Sequence, residues 1–223
     1  MKKVIYLFLY LSSQSFAQKG DFPFSAKPDS IIKGTEYGFI YYTSDTSSIY
    51  YNWIVPSLDT EMIHSIQNQY FTKELEVLNL SNSHFDLGSF PRKWNSVYRY
   101  QNEYFLYAPS DWMYNKGFYF SDSIIYNTMS DWDPATDYIM KDFKLFHEGN
   151  ATIQTTNLLG QQIDISVYLI DKSLGIYQWV FKNQQQNDTT KFLMQNSDFS
   201  KKTRMIVSDC GGRKCIMEFD FGN

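Results

Sequence analysis

Cysteine, histidine, proline and glycine are all scarce in this chain. Its 223 residues hold 2 Cys, 3 His, 6 Pro and 11 Gly. Each shortage excludes a class. The glycine count, with no Ala/Glu/Lys/Leu bias, rules out a collagen-like rod or a heptad coil. The histidines, His64, His84 and His147, fall in three separate segments. None forms the local ligand pair that usually marks a zinc site, so no metal is expected. Cys210 and Cys215 stand four residues apart, which is not the C-x-x-C of a redox centre or zinc knuckle. G-x-G-x-x-G, Walker, G-x-S-x-G and H-E-x-x-H patterns are missing, so no cofactor is expected either. The longest apolar run is eight residues, Val4 to Leu11, against the roughly 20 needed to span a bilayer. Basic residues never cluster beyond a pair and the net charge is −4, which argues against nucleic-acid binding.

The surplus is aromatic. Phe, Tyr and Trp make up 18% of the chain, with 18 Phe, 18 Tyr and 5 Trp. With 43% hydrophobic residues and little net charge, the chain is no disordered polymer and can bury a full core.

Its first residues read as an export signal. Lys2 and Lys3 precede the apolar run, and Ser15-Phe16-Ala17 ends a small polar stretch before Gln18. This is the n-region, h-region and cleavage site of a secretory signal, over residues 1–17. No Cys lies at the cleavage site, so a lipoprotein is not expected. Removing the two lysines moves the net charge from −4 to −6. The expected location is periplasmic or secreted. No transmembrane segment is expected in the mature chain.

The remainder divides into an irregular N-terminal arm, 18–36, and an antiparallel β domain, 37–223. Alternation and β-branched or aromatic enrichment predict strands at 38–43, 47–54, 74–80, 96–101, 103–108, 116–121, 123–129, 137–146, 150–156, 161–170, 174–182, 190–195, 203–209 and 214–221. The clearest is 162–169, where Ile163, Ile165, Val167 and Leu169 alternate with polar residues and Tyr168. One short helix is predicted near 59–70, with Met62, Ile63, Ile66 and Tyr70 on one face. Many short strands and no crossover helices imply an all-β fold, a single antiparallel meander domain. It is barrel-like, of the up-and-down calycin type, or a curved two-sheet sandwich. A faint echo, Gly38 to Tyr50 against Gly117 to Tyr126, reads as two hairpins with a Ser-Asp turn.

In an oxidising compartment Cys210 and Cys215 form a disulfide on this reading. Gly211-Gly212 would turn a hairpin of 203–209 against 215–221, pairing Ser208 with Met217 and Ile206 with Phe219.

The candidate binding site comes from turn placement. Ser110-Asp111-Trp112 and Ser130-Asp131-Trp132 flank the predicted hairpin 116–129, so both fall at its open end. Trp112 and Trp132 with Asp111, Asn115, Asp131 and Asp133 offer flat indoles beside hydrogen-bonding groups, which suits a sugar ring. Asp131-x-Asp133-x3-Asp137 also resembles an oxygen-ligand spacing for Ca²⁺ but lacks the Gly and terminal Glu of an EF-hand loop. The alternative is that the Asp residues cap turns and the Trp rings close the core. His147-Glu148 is an acid/base pair by residue type alone. No catalytic residue is singled out.

The expected function is a non-catalytic binding module for a glycan or small amphipathic ligand. A second reading is an envelope structural or protein-interaction domain with a protein partner, and a third is a hydrolase.

Overall fold

A computed structural model describes residues 28–35, 38–55, 83–110, 117–127, 137–210 and 218–222. The predicted helix at 59–70 and strand at 74–80 lie outside these residues. Twelve strands are described, and they join into one sheet.

Eight of them close an antiparallel barrel. These are β3 (Lys93–Tyr100), β5 (Gly117–Phe120), β6 (Ile124–Asn127), β7 (Tyr138–Leu145), β8 (Ala151–Asn157), β9 (Gln162–Asp171), β10 (Ile176–Asn183) and β11 (Asp188–Asn196). From β5 to β11 each strand pairs with the next in sequence. Closure falls on β3. Its residues Trp94 to Val97 pair with Asn196 to Leu193 of β11, and Lys93 to Asn95 pair with β5.

The strict alternation of β9 shows how this sequence makes a barrel wall. Ile163, Ile165 and Val167 are buried inside, while Asp164, Ser166 and Tyr168 face out. A two-residue period can bury only one face, and the pleat selects it. Inside, Trp94 and Trp179 meet edge to face at 5.1 Å, and Phe118 stacks on Trp179 at 5.3 Å. Phe120, Phe181, Ile153, Met140 and Met194 fill the remaining layers, and Leu87 and Phe90 come in from the segment before β3. The aromatic surplus thus packs the barrel interior with side chains.

The other strands form an outer layer in the order β1 (Ser30–Thr35), β2 (Gly38–Thr43), β12 (Met205–Asp209), β4 (Glu103–Ala108), joined to the second half of β3. Residues 30–35 belong to the stretch read as an irregular arm, but they form a strand whose Ser30, Ile31, Lys33, Gly34 and Thr35 pair with β2. β12 lies antiparallel to β2 and parallel to β4, the one parallel pairing among the described residues. No crossover helix was needed, because the barrel strands β5 to β11 intervene between β4 and β12.

Two further expectations are corrected. Residues 49–54 form a helix, α1 (Ile49–Ile54), where a strand was predicted. The cause is local: Asp45 accepts the Ser47 N–H at 2.9 Å, and Ser48 Oγ then caps the helix by accepting the Tyr51 N–H at 3.1 Å. Tyr51 and Ile54, three apart, are buried against the outer layer. Only the second member of the internal echo is a hairpin, β5–β6, its turn held by Ser121 Oγ accepting the Ile124 N–H at 2.9 Å.

The predicted hairpin of 203–209 with 215–221 does not form in the described part. Both edges of β12 are taken by β2 and β4, and residues 218–222 are not in a strand. Phe219 and Phe221 instead cover a face of the outer layer, against Ile206, Tyr107 and Tyr98. The Tyr107 hydroxyl accepts the Phe219 N–H at 2.9 Å. β2 and β4 carry aromatics on both faces, and both faces are covered: one against the barrel and α1, the other under the C-terminal residues. No helix among the described residues is long and apolar enough to cross a membrane.

Candidate functional site

All six candidate ligand-binding residues, Trp112, Trp132, Asp111, Asp131, Asp133 and Asn115, lie outside the described residues, as does Cys215. Their anchors are described. Phe118 sits opposite Asn127, so the chain enters β5 and leaves β6 at the same end of the hairpin. Asp137 is fully buried there and accepts the Asn127 backbone N–H at 2.7 Å. It latches the end of β6 to the start of β7. Burial, with the Asp137 charge adding to it, pushes the neighbouring Tyr126 hydroxyl up to about 12. His147 and Glu148 sit exposed in a short 3₁₀ turn, and His84 is exposed elsewhere. No cluster of metal-ligating side chains occurs among the described residues.

One buried polar group stands out. Asp209, 3% exposed at the end of β12, accepts a hydrogen bond from the Tyr50 hydroxyl of α1. Burial raises the Tyr50 and Tyr41 hydroxyls well above the usual tyrosine range, and the Asp209 carboxylate raises them further. A carboxylate clasped this way ties the helix to the outer layer. Cys210, also buried, follows it directly.

The open feature lies where the two layers part. β3 pairs with β11 only as far as Val97↔Leu193, then swings away so that Tyr98 to Tyr100 pair with β4. The split leaves a cleft of about 360 Å3, whose lining includes Ser96, Tyr98, Arg99, Lys191, Phe192 and Phe221. Strand parity fixes which backbone groups face it. Asn196 donates its N–H to Gly175 O, so the even-numbered residues of β11 bond β10 and the odd-numbered ones point the other way. Leu193 meets β3, and Lys191 meets the cleft. On β3 the two-residue turn makes Tyr100↔Glu103 the closing hydrogen-bonded pair with β4, so the Arg99 backbone also points into the cleft. Arg99 and Lys191 would be the next rung of the ladder. Two cations directly opposite disfavour such a pair, which fits the ladder ending one step earlier.

The cleft has two chemically different sides. Val97, Arg99, Lys191 and Leu193 share the face turned away from the barrel interior. Phe192 packs toward the barrel core, while Tyr98 and Phe221 stack at 4.5 Å on the other side of the sheet from Arg99. Ser96 is buried and contacts Met194 Sδ at 3.6 Å. Arg99 donates to the Asn102 side chain, at 3.2 Å and exposed. Lys191 is exposed and has no ion-pair partner among the described residues. Among the described residues the lining carries no carboxylate, histidine or cysteine. It offers aromatic surface, two cations and backbone donors and acceptors.

Sequence reasoning missed this site. Its signal was a cation in the middle of each of two aromatic strands, Tyr98-Arg99-Tyr100 and Lys191-Phe192, but nothing in the sequence pairs strands so far apart.

No family model matches the chain, and searches of curated proteins and of solved structures found no significant match.

Proposed function

We propose that the chain is an exported, non-catalytic binding module for an amphipathic ligand, a glycan or a small amphiphile, carrying negative charge. The observation behind this reading is the cleft between β3 and β11, with aromatic rings on one side and Arg99 and Lys191 on the other. An aromatic face suits the apolar side of a sugar or amphiphile, and paired cations suit a carboxylate or sulfate. The barrel interior is packed with side chains, which supports the open cleft over the barrel lumen as the ligand's site. Export rests on the Lys2-Lys3, apolar-run and Ser15-Phe16-Ala17 pattern, with the periplasm or the medium as destination. A Cys210–Cys215 bridge belongs to the same reading, since Cys210 is buried beside the Asp209 clasp and an oxidising compartment favours closure of so short a loop.

A screen of neutral and acidic glycans and fatty-acid amphiphiles tests this. The expected result is an acidic ligand whose binding is lost in Arg99→Ala and Phe221→Ala, with the thermal midpoint nearly unchanged in Arg99→Ala. Loss in Trp112→Ala and Trp132→Ala alone would move the site to those loops. No binding to any class would overturn the reading. A protein-interaction role is the second reading, favoured by the open strand edges at the split.

A further inference from the structure

We infer that the ligand of this cleft is an extended acidic peptide that adds as a strand to the open edge of β11. The inference rests on the binding-module reading of the cleft and takes the protein-interaction alternative for its ligand, a peptide in place of a glycan or small amphiphile.

The first argument is the backbone. Past Leu193, β11 continues from Asp188 with β10 on one side and, among the described residues, no strand on the other. By the parity established above, Thr189 and Lys191 aim their peptide groups at the open side. The Thr189 N–H is taken by Asp188 Oδ1 at 2.8 Å. Among the described residues, the Thr189 carbonyl and both Lys191 backbone groups have no strand partner, and Arg99 presents a second such N–H and C=O from β3. Small rigid ligands rarely match a donor and acceptor at strand spacing, whereas another strand does so by construction.

The second argument is charge. In a chain of net charge −4, both side chains at the broken rung are cations. A residue seated opposite Lys191 points its side chain to the same face as Lys191 and Arg99. A carboxylate there meets both, and it replaces the like-charge contact that a closed rung would impose.

The third argument is alternation. Neighbours of that residue turn to the other face, where Phe192, Tyr98 and Phe221 lie. The favoured peptide therefore alternates acidic and apolar side chains. Lysine on a strand edge commonly guards against unwanted pairing, and here it would reject basic and neutral strands while admitting acidic ones.

The test is fluorescence anisotropy on the full chain with labelled Glu-Leu-Glu-Leu-Glu, its Lys-Leu-Lys-Leu-Lys counterpart, and a version N-methylated at alternate peptide nitrogens. The acidic peptide is expected to bind, to weaken at least tenfold in Arg99→Ala/Lys191→Ala, and to weaken with added salt. N-methylation is expected to abolish binding even though it leaves the charges in place. Both substituted residues are exposed, and a thermal midpoint checks that the double variant folds. Equal binding of the N-methylated peptide would overturn strand addition, and so would binding of the basic peptide. A decanoate or oligogalacturonate arm separates the two levels. If these bind and depend on Arg99 while the peptide does not, strand addition falls and the binding module stands. If none binds, both fall. A dimer by light scattering that is lost in Lys191→Ala would assign the edge to a second copy of the chain and overturn the peptide.

Discussion

Gly38 shows how little room some of these residues have. A Cβ built on it would lie 1.9 Å from the Asp209 carbonyl oxygen and 2.9 Å from the Cys210 Cα. Both obstacles are backbone, so no side-chain rotation relieves the clash. β2 and β12 approach this closely because their pairing runs to the very start of β2, with Asp209 opposite Phe39. Gly38→Ala should therefore cost at least the ~1–3 kcal/mol typical of an overpacked site. Urea denaturation checks this, and an unchanged midpoint would contradict the close approach. The sequence offered Gly38 as the first residue of a strand. It gave no hint of the contact, because the partner is a backbone segment at the far end of the chain. The Asp209 clasp was hidden for the same reason: Tyr50 and Asp209 are 159 positions apart.

Elements were legible where their signal is local. The alternation of β9 and the turns around it suffice to place a strand, because the period and the breakers are properties of neighbouring residues. The segment Ile49–Ile54 was misread because tyrosine and isoleucine favour strands, while the deciding hydrogen bonds come from Asp45 and Ser48 just before it. The cleft was illegible, since it exists only where the pairing of β3 changes from β11 to β4. The turn that begins this change carries its own expectation. Gln101 and Asn102 both adopt positive φ, 49° and 65°. That is the backbone of a two-residue hairpin turn that Asn-Gly fits best. The double substitution Gln101→Asn/Asn102→Gly should raise stability by about 0.5–1 kcal/mol, seen as a rise of a few degrees in Tm. A fall would show that the native pair makes contacts worth more than the relieved strain.

The whole molecule carries a pH signature from its buried tyrosines. Tyr41, Tyr50 and Tyr126 are raised above the ordinary value of 10.0, in each case chiefly by burial. Above pH 10 the unfolded chain ionises these groups while the folded chain keeps them protonated. Protons are then bound more by the folded state, so stability falls as pH rises. It is fully present below pH 10 and is lost upward from there, through about 12 for Tyr126. Urea midpoints measured from neutral to strongly alkaline pH should show this decline, and Tyr126→Phe should make it shallower. A flat profile would contradict the burial of these hydroxyls. A different consequence follows from β3, the one strand held in common by barrel and outer layer. The strands β5 to β11 are consecutive neighbours and can zip together one after another. β3 precedes them and must find β11 across the entire meander, at a high entropy of loop closure. Because the same strand also carries β4, closing the barrel at β3 also fixes where the outer layer attaches. A substitution that breaks this junction is therefore expected to loosen both halves together.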